Sequence, residues 1–320
     1  YKGCVFYIKT NTTMNTQPTT SKKSRYSAMI WGNLLALSTA ICWGLNDPAN
    51  KALIPDWISA SGVALSRIFG AAILVWIVSL FVKNDKIQRG DWKYLWGSAL
   101  MMLGFVYVFS LAFMTASPID IAIILTFQPI LVVIINAIFK HEHVSLLEVV
   151  GMVIALAGAL IVILGGGSFE AGRLVGDLFA VVCAITYAVY LVIIEGPSKR
   201  YGTVSLMKWV FLFTAILASP LIFTMSPEMP IFTHGKAMPW LILGFIVLFP
   251  TVYCYLVTPP AIRLVGSEVL AFYQYLVPVI TTVVAIAAKM DSFHWYQPVS
   301  FVIIVGGVIL VNYAKAKSSK

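Results

Sequence analysis

The sequence predicts an all-α integral membrane protein with ten transmembrane helices, built as two inverted five-helix halves. The composition is the first observation: 60% of the residues are hydrophobic, 11% are charged, and the mean hydropathy is +0.90. Soluble domains are only about 45–50% apolar and about 25% charged. The second observation is that the apolar residues form blocks of roughly 20, the length of a helix that crosses a ~30 Å hydrocarbon core. The third is an internal repeat.

Ten such blocks follow one another along the chain and are joined by short polar connections. None of the connections has room for a soluble domain, so the activity is expected to lie within the bilayer. Residues 1–25 are polar, rich in Thr, Ser and Lys, and are predicted to form a disordered cytoplasmic tail. The predicted transmembrane spans are 31–50, 58–82, 94–114, 118–139, 145–164, 174–194, 206–225, 239–259, 268–288 and 295–313.

The distribution of basic residues predicts the orientation in the membrane. A net charge of +9 is compatible with nucleic-acid binding, but 17 of the Lys and Arg residues fall on the side of the N terminus. The opposite side receives only four, which are Lys51, Arg173, Lys236 and Lys289. This is the positive-inside asymmetry of membrane proteins, so nucleic acid is not expected as a partner. Both termini are predicted to be cytoplasmic, in a multi-pass protein of the plasma (inner) membrane.

The internal repeat is visible when the chain is aligned with itself at an offset of 149 residues. Pro129 then meets Pro278, and Gly158 meets Gly307. Because each half holds an odd number of spans, the second half enters the membrane from the opposite side. The predicted halves are residues 26–165 and 172–314. Inverted repeats with the substrate near the midplane are a recurring plan of secondary transporters, and a duplicated packing unit without transport is the alternative.

Four short segments carry a resemblance to a known family. They are residues 40–46 (AICWGLN), 67–70 (RIFG), 139–142 (FKHE) and 176–180 (GDLFA). In this order they resemble an EamA-type member of the drug/metabolite transporter superfamily, and the similarity runs over residues 31–313. Two places differ from the family pattern: Asp291 stands where Glu is usual, and Pro259 and Pro260 end the eighth predicted span.

The resemblance implies two EamA repeats around a central cavity and the export of amino acids, metabolites or drugs. The superfamily also includes sugar-phosphate and nucleotide-sugar carriers, so the resemblance leaves the substrate open. A small-molecule substrate and the lipid bilayer are the expected partners, and no cofactor is expected. A homodimer is compatible with the sequence.

Other membrane functions lack the residues that they need. The sequence has no His-Glu-x-x-His, Gly-x-Ser-x-Gly or Walker motif, so neither an intramembrane hydrolase nor an ATP-driven pump is indicated. His141 and His143 are two residues apart, which directs them to different faces of a helix. They are interpreted as part of a solvated loop, and no metal site is predicted. A non-transporting scaffold or receptor and an intramembrane enzyme are the alternative functions.

Several acidic residues near span ends are interpreted as helix caps. Ser117 with Asp120, and Ser145 with Glu148, have the Ser-x-x-acid spacing of a capping box. Asp177 is placed in a first helical turn, where a negative charge suits the helix dipole. These acids are therefore assigned structural roles.

Polar and aromatic residues inside the spans are the candidate substrate contacts, since such side chains should turn away from lipid. In the first span they recur at steps of four, three and four, and in the ninth Gln274 and Thr281 lie seven apart. Contacts between helices are the alternative role. The residues predicted to touch substrate are Trp43, Asn46, Gln128, Tyr187 and Gln274.

Pro129 and Pro278 are predicted to break the fourth and ninth spans near mid-membrane. A proline inside a helix frees a backbone carbonyl group. Within a bilayer such a group is tolerated only beside protein or a cavity. The two breaks are therefore expected to face the same interior region.

Asp47 and Arg67 are predicted to act together as an ion pair at an outer gate. A charge at membrane depth costs about 2.5–3.5 kcal/mol on insertion scales, so Arg67 needs a partner or water. Asp47, in the adjacent span, is the nearest acid in sequence that lies within a predicted span. In the gate hypothesis an anionic or zwitterionic substrate breaks the pair by competing for Arg67. A structural ion pair, or separate contacts with interfacial water, is the alternative.

Overall fold

The structure is a computed structural model, and it describes residues 22–140, 144–164, 171–224, 228–233, 236–265 and 273–318. Most of the predicted tail, residues 1–21, lies outside the described residues, as do His141 and His143. Throughout the described ranges the regular secondary structure is helical, which confirms the all-α prediction there.

The helices follow the order of the predicted spans. Those of the first half are α1 (Lys22–Leu53), α2 (Ala60–Leu80), α3 (Trp92–Ala112), α4 (Pro118–Leu125), α5 (Gln128–Lys140) and α6 (Leu146–Leu164). Those of the second half are α7 (Ala171–Ser198), α8 (Thr203–Thr224), α9 (Ala237–Ile246), α10 (Cys254–Val265), α11 (Leu276–Ala287) and α12 (Tyr296–Ser318). Shorter helical elements are the 3-10 helices Arg89–Asp91 and Pro230–Phe232 and the π-helical turn Val247–Tyr253.

Many helical stretches of the described residues are long and apolar enough to cross a membrane. Large hydrophobic side chains such as Ile73, Val153 and Val302 are exposed, which suits a lipid environment and would be unfavourable in water. The chain is therefore a multi-pass membrane protein. Six stretches of the described residues are long and apolar enough to span a bilayer: Ala60–Leu80, Arg89–Ala112, Pro118–Phe139, Arg173–Ser198, Thr203–Phe223 and Ala237–Ala261. Shorter apolar helices cover Leu146–Ile161, Leu276–Ala287 and Tyr296–Val311.

Two spans are interrupted at positions that the repeat relates. The fourth span is divided by a turn at Thr126 and Phe127, between α4 and α5. In the second half a turn at Tyr275, 149 residues after Thr126, precedes α11. Pro129 and Pro278 lie in the first turns of α5 and α11. A first-turn proline is tolerated because its missing N–H would have no partner within the helix.

The eighth span changes its helical pitch at a proline. The π-helical turn Val247–Tyr253, between α9 and α10, contains Pro250. Because Pro250 has no N–H, it cannot donate to the carbonyl oxygen of Ile246 four residues earlier. The hydroxyl of Thr251 donates to that oxygen instead, at 2.8 Å. The turn therefore fixes the position of the Thr251 side chain.

Helices α6 and α12 approach closely because glycines lie at their contact. A Cβ atom added to Gly151 would lie 2.8 Å from the carbonyl oxygen of Gly307, and one added to Gly307 would lie 2.6 Å from that of Gly151. A Cβ on Gly158 would lie 2.7 Å from Cγ1 of Ile304. Small residues allow such close packing in membranes. This seam joins the last helix of the first half to the last helix of the second.

The packing of the helices follows the repeat. Helix α1 packs against α10, and α7, its counterpart in the second half, packs against α3. Helix α1 also contacts α11, and α7 contacts both pieces of the interrupted fourth span, α4 and α5. The pairs α2–α8 and α6–α12 join equivalent helices of the two halves. Exchanging the halves therefore reproduces the main contacts, as expected for a two-fold relation between repeats.

Polar contacts also tie together two loops, one from each half. Asp91, in the connection between α2 and α3, accepts hydrogen bonds from Tyr201 Oη at 2.7 Å and from Arg200 Nη2 at 2.6 Å. The amide of Gly202 donates to Asp85 Oδ2 at 2.6 Å. The loop between α7 and α8 is thereby held against the loop between α2 and α3.

Candidate functional site

The polar stripe of α1 contacts the second half of the chain. Trp43 donates its Nε1 hydrogen to the carbonyl oxygen of Pro250 at 3.3 Å. Asn50 donates to the carbonyl oxygen of Asn46 at 2.7 Å and to its side-chain oxygen at 3.0 Å. The stripe therefore faces the protein interior, since Asn46 and Asn50 are buried.

Asp47 is a buried acid held by hydroxyl and amide groups. Its side chain is 3% exposed, its Oδ2 lies 3.3 Å from Thr281 Oγ1, and its Oδ1 lies 3.5 Å from Asn46 Nδ2. Thr281 also lies within reach of α1, because its hydroxyl donates to the carbonyl oxygen of Gly44 at 3.0 Å. A Cβ on Gly44 would lie 2.6 Å from Cβ of Ile280, so this glycine permits the close approach of α11.

Arg67 is a buried cation with an incomplete set of partners. It is the eighth residue of α2, about 10 Å along the helix axis from the first, and it is 2% exposed. Its Nε donates to Thr251 Oγ1 at 3.0 Å, and its guanidinium carbon lies 5.4 Å from the ring centroid of Phe109. Its Nη1 is buried and has no hydrogen-bond partner among the described residues. Since Thr251 belongs to the second half, Arg67 links the two repeats.

The predicted direct pairing of Asp47 with Arg67 is not formed in this conformation. No ion pair within 4.0 Å joins these two described residues, because each binds other groups. Asp47 contacts Thr281 and Asn46, whereas Arg67 contacts Thr251 and Phe109. Whether they form a gate in another conformation stays a prediction.

Aromatic side chains continue from Arg67 through the contact between α3 and α7. The ring of Phe105 lies 5.7 Å from that of Phe109 and 4.6 Å from that of Tyr187. Tyr187 lies 5.6 Å from Tyr190, which lies 6.3 Å from Tyr255. Rings at these distances form a continuous apolar surface with polar edges. Tyr187 is therefore connected to Arg67 through Phe105 and Phe109.

Gln128 and Gln274 lie at the two helix interruptions. Gln128 is the half-buried first residue of α5, and Gln274 directly precedes the turn at Tyr275. Nε2 of Gln274 is buried and has no partner within the described part of the chain. No hydrogen bond of the described residues joins either glutamine to Trp43, Asn46 or Tyr187. Trp43 and Asp47 therefore contact different elements of the second half, the π-helical turn and α11, and Asn46 contacts Asp47.

Thr251 and Phe109 were not among the site residues predicted from the sequence. Both contact Arg67 directly. A threonine that follows a mid-span proline was the available signal for Thr251, since its hydroxyl replaces the donor that Pro250 lacks. Phe109 is one of many apolar residues in α3, and its sequence context carries no comparable signal.

The acidic caps turn out to be of two kinds. The amide of Ser145 donates to Glu148 Oε2 at 3.0 Å and the amide of Glu148 donates to Ser145 Oγ at 3.3 Å, which is a reciprocal capping box. The amide of Asp120 donates to Ser117 Oγ at 3.1 Å, but the Asp120 carboxylate instead contacts Arg173. Asp177 is the seventh residue of α7, beyond its first turn.

The two packed repeats, with buried charged residues between them, define the class of protein: a multi-pass helical membrane protein with polar groups at its centre. The chain belongs to the EamA-like transporter family, whose model matches residues 30–164 and 174–313. The resemblance inferred from sequence is thereby confirmed, and the chain contains two EamA repeats.

Several proteins described as uncharacterized transporters are similar to this chain over most of their length. The uncharacterized transporter YyaM of Bacillus subtilis (strain 168) is 24% identical over 268 residues, which cover 80% of this chain and 85% of that protein. The uncharacterized transporter YvbV of the same organism is 23% identical over 306 residues, covering 90% of this chain and 93% of that protein. One solved crystal structure, at 18% identity, matches 91% of this chain and 99% of its own with a TM-score of 0.61, which shows a shared fold. These findings support a membrane transporter and point away from an enzyme.

Proposed function

We propose that the chain is a secondary transporter that exports small metabolites bearing a carboxylate, such as amino acids, across the plasma (inner) membrane by alternating access. Drugs with an anionic group fall within the same proposal. The observation that carries it is the Arg67 guanidinium, which is buried, bonded to the second repeat, and left with a free N–H group within the described residues.

A substrate anion would supply the partner that Arg67 lacks. Hydrogen bonds to charged groups contribute about 1.5–3 kcal/mol, and a buried donor without a partner costs about 1–3 kcal/mol. A carboxylate at Nη1 would therefore be favoured over a neutral group. The rings of Phe105, Phe109 and Tyr187 would contact the apolar part of the substrate, as aromatic groups do in small-molecule sites. The polar contacts proposed to complete the site are Trp43, Asn46, Gln128 and Gln274.

Asp47 would serve the cationic end of a zwitterionic substrate, or pair with Arg67 when the outer gate is closed. In this structure Asp47 contacts the hydroxyl of Thr281, and Arg67 contacts that of Thr251. Closing the gate therefore requires Asp47 or Arg67 to leave its threonine and form an ion pair with the other. A double swap, Asp47→Arg with Arg67→Asp, should restore folding and gating better than either single substitution. If the swap behaves no better than the singles, the two charges act separately.

The proposed topology has ten spans, with both termini in the cytoplasm and the repeats inverted. Six stretches meet the length and polarity of a span, and α6, α11 and α12 are shorter apolar helices at further predicted positions. Helix α1 would be the tenth. The exchange symmetry of the packing supports alternating access, because rocking two equivalent halves interchanges the open sides.

The direct test is flux in proteoliposomes. Purified protein should be reconstituted with a panel of radiolabelled amino acids, neutral metabolites and cations, beside protein-free liposomes. We expect saturable flux for carboxylate-bearing compounds and little for neutral or purely cationic ones. Uniform absence of flux in a folded preparation would favour the scaffold or receptor alternative instead.

A further inference from the structure

A second buried polar cluster lies where α4, α7 and α12 meet, apart from the proposed substrate site. Arg173 Nη2 donates to Asp120 Oδ2 at 2.9 Å and to Tyr296 Oη at 2.6 Å. Gln297 Nε2 lies 3.4 Å from the other oxygen of Asp120. Asp120 is therefore supplied with a donor at each carboxylate oxygen, although it is only 1% exposed.

Asp177 is the member of this cluster without hydrogen bonds. It is 0% exposed, and neither of its carboxylate oxygens has a hydrogen-bond partner among the residues that the structure describes. Its one ionic contact within the described ranges is with Arg173 Nε at 3.9 Å, one helical turn away. One guanidinium thus faces two buried carboxylates, and its short contacts go to Asp120 and Tyr296.

The remaining charged groups near the cluster leave an excess of negative charge. Asp291, in the connection before α12, interacts electrostatically with Asp120, and Lys51 at the end of α1 interacts with Asp291 and with Asp56. Lys51 Nζ donates to the carbonyl oxygens of Phe113 and Ala116 at 2.9 and 3.3 Å. His294, in the same connection as Asp291, stacks on the ring of Tyr296 at 5.3 Å. With all acids ionised, the negative charges of Asp120, Asp177, Asp291 and Asp56 outnumber the positive charges of Arg173 and Lys51.

We propose that this cluster is a proton-binding site in which Asp177 takes up one H⁺. Buried carboxylates that lack donors become neutral rather than remain charged, because desolvation of an isolated charge is costly. A metal cation fits the site less well, since the guanidinium 3.9 Å from Asp177 would repel it. Space is also short at this point: a Cβ on the neighbouring Gly176 would lie 2.5 Å from the backbone nitrogen of Ala116. The Arg173 side chain is 20% exposed, which gives water access to the cluster.

Proton binding would control a tie between the two repeats. Asp120 belongs to the first repeat and Arg173 to the second, so their bond crosses between the halves. When Asp177 carries a proton, Arg173 pairs with Asp120 alone and the tie between the repeats is intact. When the proton leaves to water, the Asp177 carboxylate competes for Arg173 within α7 and the tie weakens. This coupling rests on the proposed transport function, because it links proton exchange to movement of the halves.

The proton site itself can be tested without any substrate. Infrared difference spectra of the purified, lipid-reconstituted protein should be recorded between about pH 4 and about pH 9, since an unperturbed Asp titrates near 3.9. We expect a protonated-carboxyl band that is lost in Asp177→Asn and retained in Asp85→Asn, a matched change at an exposed position. Asp177→Glu should keep a band with a shifted midpoint, and this variant decides the matter if Asp177→Asn does not fold. A band that is unchanged in both Asp177 variants overturns the proposal.

The coupling has a separate readout in proteoliposomes loaded with a pH-sensitive dye and given a mixture of radiolabelled L-amino acids. Wild type should accumulate label in response to a pH gradient and move protons with it. Asp177→Asn should lose the gradient-driven accumulation, yet keep label exchange within about twofold of wild type. Gradient-driven accumulation at the wild-type level in Asp177→Asn would overturn the coupling. If no variant moves label at all, the transport proposal fails, while the infrared result still decides the proton site.

Discussion

Replacing Thr251 by valine removes the hydroxyl that joins Arg67 to the π-helical turn while keeping the shape of the side chain. The hydroxyl accepts from Arg67 Nε at 3.0 Å and donates to the carbonyl oxygen of Ile246 at 2.8 Å. Thr251 is fully buried, so water cannot replace either bond. Because a hydrogen bond to a charged group contributes about 1.5–3 kcal/mol, we expect Thr251→Val to lower the free energy of unfolding by about 2–3 kcal/mol.

The assay is unfolding in mixed micelles, followed by tryptophan fluorescence. Thr251→Ser keeps the hydroxyl and is the matched control, for which we expect a loss of less than about 1 kcal/mol. A double mutant with Arg67→Met removes both partners, and it should be less destabilised than the sum of the single variants. Equal stability of the Val and Ser variants, or strictly additive losses, would refute the role assigned to this bond.

Three further predictions concern the seam, the loops and the topology. Gly307→Ala should destabilise the protein by about 1–3 kcal/mol in detergent melts, because its Cβ meets backbone across the seam, whereas Gly306→Ala, with nothing within 4 Å, should be neutral. The carboxylate that accepts the hydrogen bond of Tyr201 raises the pKa of this tyrosine. The hydrogen bond from Tyr201 should therefore stabilise the protein fully below about pH 10, the ordinary pKa of tyrosine. This stabilisation should be lost as the pH rises through the raised pKa of Tyr201. Thermal melts of wild type and Tyr201→Phe should thus differ at neutral pH and converge at high pH, and a constant difference would contradict this. Cysteine at Lys86 should be labelled from the cytoplasm and cysteine at Asp56 from outside, and the reverse pattern would overturn the orientation.

Features that follow from local chemistry or from the repeat could be predicted from the sequence. The offset of 149 residues aligns Pro129 with Pro278, and the helix interruptions at Thr126 and Tyr275 have the same spacing. The reciprocal cap of Ser145 and Glu148 also follows from sequence spacing, because both partners lie in one helical turn.

Features that depend on how distant helices meet could not be predicted in the same way. Asp47 is the nearest acid to Arg67 within the predicted spans, but the π-helical turn brings Thr251 to the guanidinium from 184 residues away. Asp120 was expected to cap its own helix, and its carboxylate instead binds Arg173 because α4 packs against α7. The four-residue spacing of Arg173 and Asp177 can be read from the sequence. The contact of Arg173 with a second acid, Asp120, cannot.

In the proposed transport function, Arg67 binds the anionic group of the substrate between the two repeats. The most direct measurement compares saturable flux of a radiolabelled amino acid and of its uncharged-carboxyl methyl ester, in wild type, Arg67→Leu and Lys86→Gln. The last variant removes a basic charge from an exposed loop. We predict that Arg67→Leu lowers transport of the acid by at least about tenfold, the equivalent of about 1.4 kcal/mol. The ratio of acid transport to ester transport should also fall in this variant. Lys86→Gln should transport both compounds as wild type does. Equal acid transport by folded Arg67→Leu and wild type, with the same preference over the ester, would contradict the claim.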